Sequence, residues 1–303
     1  MAIGELHGRR EDKDLLVSLI KSPEFSAKVD DIAVEFGNAL YQPILDRYVA
    51  GDPVPIKELR EVWRNTTILT GVWDAPIYQQ FFAEVRDLNQ TLRRSRRLRV
   101  LAGDPPIDWS KIRDLTDATP FLGARDSYFA SMIEKEVLAK GRRALVVMGG
   151  FHFYRRSQTG QIQKDTVGAL IKQRHPGSTF VILTHAANRN GYEALEARLS
   201  SWKIPSLYPL RGTWLGAADA SYQFPPTRTS VGGGKAVGQQ VPKPAALVRL
   251  QDLADAFLYL GPTSTFTSSR PSPGTYDPDY LRELDRRYKV IYGFPLDPKT
   301  LIQ

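Results

Sequence analysis

Short apolar runs rich in β-branched and aliphatic residues recur along the first two thirds of the chain, at residues 31–34, 98–102, 144–148 and 180–183. Gly, Asp, Pro or His bounds each one, and such continuous runs are what strands buried on both faces of a parallel sheet require. Ala2-Ile3 begins a further strand that is short for the class, since strands usually run about five residues. Between the runs the apolar spacing changes to that of a helix face at 15–20, 38–49, 56–63, 77–93, 125–140, 165–173 and 193–202. Gly51-Asp52-Pro53 separates two of these helices and Gly141 is placed to cap another. The alternation predicts an α/β fold. Its central sheet is mainly parallel and flanked by helices, with a helical insertion over 39–97 after the second strand and an irregular C-terminal third. One domain over residues 1–303 accommodates this order.

The last third is read more coarsely. Residues 211–244 are rich in Gly, Pro, Ser and Thr without apolar periodicity, the profile of a lid, a binding loop or a disordered segment. Gly232-Gly233-Gly234-Lys235 is not a phosphate loop, because Ala236 replaces the magnesium-binding hydroxyl and no strand leads into it. Residues 253–260 return to a buried element and 279–288 to a terminal helix.

Four histidines are present, and three follow strand-like runs: His7, His152 and His185. His175 reads as an exposed helix terminus. Carboxylates fall under the same rule, with Glu5 at the end of the first strand, Glu35 ending the second and Asp104 the third. In open α/β sheets the carboxyl ends of the strands form the ligand crevice, and buried carboxylates are costly unless paired or ligating. Several ionisable groups on one rim therefore read as a site. Gly4 and Gly149 each precede a histidine by three positions, where a missing side chain allows close approach of backbone or ligand.

Gly4-Glu5-Leu6-His7 and Gly149-Gly150-Phe151-His152 resemble the paired signatures of the Tiki/ChaN/erythromycin-esterase superfamily. The stretch Gln42-Pro43-Ile44-Leu45-Asp46-Arg47-Tyr48 and the pair Arg125-Asp126 look most like the ChaN-type haem-uptake branch. The resemblance covers roughly residues 1–190. It implies hydrolysis of an ester or amide in a small-molecule or peptide substrate, with Glu5, His7, Glu35, His152 and Arg125 as catalytic groups. Asp104, Asp126 and His185 would then support them. A Tiki-like site would hold a divalent metal, Zn, Mn or Co, on His7, Glu35 and His152. A ChaN-like protein would bind haem without catalysis. Gly4-Glu5-Leu6-His7 is one residue shorter than the Gly-Glu-x-x-His spacing of the erythromycin esterases.

Composition narrows the partners. Cysteine is absent, so disulfides and thiolate metal sites are excluded. The net charge is +8, much of it in the run from Arg93 to Arg99. That run reads as solvated cations at the end of a helix, complementing its dipole, rather than as a nucleic-acid footprint. No apolar run approaches the roughly 20 residues of a membrane span. The chain shows no signal-peptide pattern, while its short first strand leaves room for residues upstream of Met1, so the compartment stays open between cytoplasmic and exported. Oligomeric state has no signature in the sequence.

Overall fold

The computed structural model describes residues 1–186, 192–224 and 247–301. In chain order these form β1 (Ala2–Glu5), α1 (Arg10–Lys21), α2 (Pro23–Lys28), β2 (Asp31–Asn38), α3 (Gln42–Ala50), α4 (Ile56–Arg64), α5 (Pro76–Thr91), β3 (Arg99–Asp104), α6 (Leu115–Leu122) and α7 (Arg125–Glu136). There follow β4 (Ala144–Gly149), α8 (Val167–Arg174), β5 (Val181–Thr184), α9 (Glu193–Leu199), β6 (Ser206–Pro209), α10 (Leu250–Leu253), β7 (Ala256–Tyr259) and α11 (Pro278–Tyr292). The pairings of β1 with β5, β2 with β3 and β4, and β5 with β7 are parallel, and that of β6 with β7 is antiparallel. The α/β class, the mainly parallel strands and the helical insertion (here α3, α4 and α5) are those the sequence predicts.

The chain divides into two compact units: His7–Val147 with Thr267–Gln303, and Met1–Leu6 with Met148–Phe266. In the first, β2 lies between β3 and β4, with Ile32, Ala33 and Val34 opposite Val100, Leu101 and Ala102 on one side and Leu145, Val146 and Val147 on the other. Nearly all these side chains are buried. Beyond Val34 the register breaks: Val34 pairs with Ala102, but the next pair is Asn38 with Asp104. Strand β2 thus spends four steps where β3 spends two. Glu35 therefore does not end β2, as the sequence suggests. It sits in an irregularity that lets the strand continue to Asn38, whose side-chain amide donates to the Asn65 and Ile107 carbonyls at 2.6 and 2.8 Å.

Helix α7 lies against β3 because Gly103 has no side chain. A Cβ there would stand 1.8 Å from the Phe129 ring. The helix is shorter than predicted, giving way to a 3-10 turn over Leu138–Lys140, and Gly141 follows at φ 62°. The C-terminal helix α11 belongs to the same unit, where Tyr288 and Ile291 pack on a cluster of Leu69, Ile107, Trp109, Ile112 and Ala118.

In the second unit β1 pairs with β5, β5 with β7, and β7 with the antiparallel β6. Gly4 of β1 is opposite Leu183, and its carbonyl accepts the Thr184 hydroxyl at 2.6 Å. Among the described residues the C-terminal third thus holds two strands, and β6 was not foreseen. Of the long loop over 211–244, residues 225–244 lie outside the described residues, as does the Gly232–Lys235 stretch considered above.

The basic run behaves only partly as expected. Helix α5 ends at Thr91, before it. Arg93, Arg94 and Arg96 are exposed, whereas Arg99 pairs with Asp46 at 3.2 Å and Glu136 at 2.9 Å. No helix among the described residues is long and apolar enough to cross a membrane.

Candidate functional site

The expected site residues divide between the units. His7, Glu35, Asp104, Arg125 and Asp126 belong to one; Glu5, His152 and His185 to the other.

Glu35, Asp104 and Arg125 form a connected group. Both carboxylates are essentially sealed, with side-chain exposures of 1% and 0%, while Arg125 retains 19%. Arg125 Nη2 donates to Glu35 Oε1 at 2.6 Å and Nε to Asp104 Oδ1 at 3.3 Å. Asp104 also accepts the Thr67 amide on Oδ2 at 2.7 Å and the Thr67 hydroxyl on Oδ1 at 2.6 Å. One guanidinium thus bridges two buried carboxylates. It is delivered there because Arg125 opens α7 and Phe129, one turn on, is seated over Gly103.

His7 stands at the open side of this group. Its Nε2 lies 3.6 Å from Glu35 Oε2, and its side chain is 34% exposed. The ring packs edge-on against Trp73 at 4.6 Å, and Trp73 in turn against Tyr78 at 4.9 Å. The Tyr78 hydroxyl accepts the Gly8 amide at 2.9 Å, which anchors the backbone just after His7. The buried carboxylate therefore has two neighbours of different kinds: a fixed cation on Oε1 and an accessible imidazole beyond Oε2.

Burial pushes the Asp104 carboxyl up to about 6, against the opposing pull of Arg125 and Thr67. For Arg125, burial works to lower the pKa, but the charges and hydrogen bonds of Glu35 and Asp104 outweigh it and raise it further. Burial, then Asp104 and Glu136, raise the Tyr128 phenol, which lies one turn along α7 from Arg125.

The other predicted residues are placed as follows. Asp126 is half-buried in the first turn of α7. Glu5 ends β1 as expected and is buried. His152 is half-buried in a 3-10 turn, Gly150–Phe153, directly after β4. His175 is exposed just past α8, as expected. The two signature motifs meet in their glycines: a Cβ on Gly4 would stand 2.8 Å from the Gly150 Cα. Close approach was anticipated at Gly4 and Gly149, and at Gly4 it is realised against the Gly150 backbone.

His185 is not a rim residue. Its exposure is 0% and its Nε2 lies 2.9 Å from Glu196 Oε1. Rings of Tyr222, Phe257 and Tyr259 surround it at 5.5 to 5.8 Å. Glu196 also accepts the Thr263 amide at 2.7 Å. This is a buried histidine held in an aromatic cluster. Position after a strand does not distinguish it from His7, because the covering residues come from distant parts of the chain.

Among the described residues no group of three or more His, Asp or Glu side chains is disposed to hold a metal ion. The chemistry around Glu35 gives the reason in the first unit. A divalent ion on this carboxylate would sit beside a guanidinium already 2.6 Å from it, and like charges at such distances repel strongly in a buried setting. The metal set His7, Glu35 and His152 draws on both units and rests on the resemblance alone.

Trp73 and Thr67 were not foreseen. Both lie in loops of the helical insertion, outside any motif, and no local pattern marks them.

An accessible histidine beside a buried carboxylate is chemically able to take up and release a proton. Comparison with known proteins places the frame. No protein-family model matches the chain, and no curated protein matches it in sequence. Among solved structures, the chain is similar to a protein from Bacillus cereus, with TM-score 0.54 and 10% identity over 89% of each chain. It is also similar to the erythromycin esterase EreC, solved as a mutant in its open conformation, with TM-score 0.52 and 11% identity over 85% of this chain and 90% of that one. A lesser likeness, TM-score 0.35 and 11% identity over 61% of this chain and 80% of the other, is to ChaN of Campylobacter jejuni, solved with cofacially bound heme. The likeness to the Bacillus cereus protein and to the erythromycin esterase shows a shared fold.

Proposed function

We propose that this protein hydrolyses an ester or amide bond without a metal ion, with His7 as the general base. The observation that carries the reading is the chain of contacts His7, Glu35, Arg125, Asp104. An exposed imidazole can take a proton from water or a substrate hydroxyl, and a buried carboxylate beside it orients the ring and stabilises the imidazolium formed in the transition state. The 3.6 Å separation is longer than a hydrogen bond, and such contacts commonly tighten when substrate binds. Glu35 is itself too enclosed to serve as the base. Arg125 fixes it in place, and the exposed fraction of the guanidinium is available to developing negative charge on a carbonyl oxygen. Glu5 and His152, which the resemblance also implicates, are tested in parallel.

The test uses the purified protein in the presence of a chelator, against a panel of aryl esters and short peptides. Turnover should persist with chelator present and fall by about 10²–10⁴-fold in His7→Ala, the usual contribution of a general base. Glu35→Gln should lower it less. Unchanged turnover in His7→Ala would end the proposal. A haem-carrier role predicts instead no turnover, with a saturable Soret shift on adding haemin.

A further inference from the structure

A second cavity, of about 490 Å³, lies wholly within the β1/β5/β7/β6 unit, at the amino ends of β5 and β7, and none of its lining residues belongs to the His7 group. We propose that it binds a small phosphate-bearing anion.

Three cations line it, Arg155, Lys172 and Arg211, together with Asp252 and Asp255. Both carboxylates already accept hydrogen bonds from the protein. Asp255 Oδ2 takes Arg155 Nη2 at 2.5 Å and the Val181 amide at 2.8 Å. Asp252 Oδ2 accepts the Arg249 amide at 3.0 Å. Lys172 and Arg211 have no ion-pair or hydrogen-bond partner among the described residues. Two uncompensated cations thus converge on one concavity from α8 and from the segment after β6, and the Thr179 side chain also lines it.

The excess of cations over carboxylates in this lining favours an anion. A guanidinium offers a planar fork of donors that fits phosphate oxygens, and an ammonium adds a compact point charge. Arg155, held by Asp255, contributes positive potential without itself being free to collapse onto the ligand. The volume lies within the range of pockets that enclose small metabolites. A phosphomonoester satisfies these constraints, whether it is a soluble metabolite or the headgroup of a lipid.

The test titrates the intact protein with glycerol phosphate, with pyrophosphate, and with phosphatidylcholine vesicles containing phosphatidic acid. Binding is read by calorimetry and by vesicle flotation. Saturable binding should weaken roughly tenfold or more in the K172A/R211A double variant, the loss expected for charge-assisted hydrogen bonds. It should be retained in R93A/R94A, which removes the same charge from an exposed turn elsewhere. Binding to vesicles alone, lost in K172A/R211A, would keep the site and assign the phosphate to a lipid. No saturable binding by the unmodified protein, or an equal loss in R93A/R94A, overturns the proposal. Because the unmodified protein is itself a test, failure of either variant to fold does not protect the idea.

Discussion

Gly4 and Gly150, 146 positions apart in sequence, lie backbone against backbone, so close that a Cβ on the first would stand 2.8 Å from the Cα of the second. Gly4 therefore lacks room for a side chain because of Gly150. Gly4→Ala should destabilise the protein by about 1–3 kcal/mol, the usual cost of overpacking. In the opposite direction, a Cβ on Gly150 would only reach the Tyr154 ring at 3.4 Å. Gly150→Ala should thus cost within about 1 kcal/mol. Urea unfolding of both variants checks the asymmetry, and equal costs would contradict the packing described.

Asp104 supplies a pH signature. Its carboxyl is raised to about 6 in the folded protein, chiefly by burial, against roughly 4 for an aspartate in an unfolded chain. Between these values the folded state binds more protons than the unfolded one, so stability falls as pH rises across the window and levels off above it. The full change is on the order of 3 kcal/mol for two pH units. Asp104→Asn should remove this component. Unfolding midpoints measured from pH 4 to 7 should therefore show a shallower decline, or a rise, in the variant relative to the unmodified protein. Parallel profiles would show that Asp104 titrates normally.

Gly103 and Phe129 set where Arg125 sits. Gly103→Ala forces the Phe129 ring away from a position 1.8 Å from the new Cβ, and should cost about 3 kcal/mol while displacing the start of α7. Combining it with Phe129→Ala should cost less than the sum of the two single changes, since both act on one contact. A double-mutant cycle on stability measures this directly. Strict additivity would mean that helix and strand do not meet there.

The outer edge of β3 is closed by side chains. Among the described residues β2 is the only strand partner of β3. Gln42 Nε2 donates to the Val100 carbonyl at 2.8 Å and its Oε1 accepts the Ala102 amide at 2.7 Å. Asn89 does the same at Leu98, accepting its amide at 2.8 Å and donating to its carbonyl at 2.9 Å. Unpaired strand edges template association. Gln42→Ala should lower stability by about 1–3 kcal/mol and promote concentration-dependent self-association, seen by light scattering. A monodisperse variant of unaltered stability would refute the role.

Much of the frame was legible from composition alone. Strands β2, β3, β4 and β5 are buried, and burial on both faces leaves continuous β-branched runs that need no neighbour to be recognised. Strand β6 escaped because its residues alternate between half-buried and exposed and it ends on Pro209. Helix α6 escaped because Pro120 lies inside it and only Ala118 is buried. Glu35, Asp104 and Arg125 were found as polar residues flanking strands or opening a helix. The structure joins them, with Arg125 bridging the Glu35 and Asp104 carboxylates.

Burial preferences act residue by residue, so the amino-acid order by itself determined the α/β class, the strands that line the core and the placing of ionisable groups beside them. Which of those groups meet was decided only by tertiary structure. The Arg125–Glu35 contact spans 90 positions and depends on how β2 bulges and how α7 seats on β3. His7 and His185 have the same local setting in sequence, yet one opens to solvent over Glu35 while aromatic rings enclose the other beside Glu196. Contacts between remote segments carry no local periodicity, and so only the folded chain separates an accessible histidine from an enclosed one.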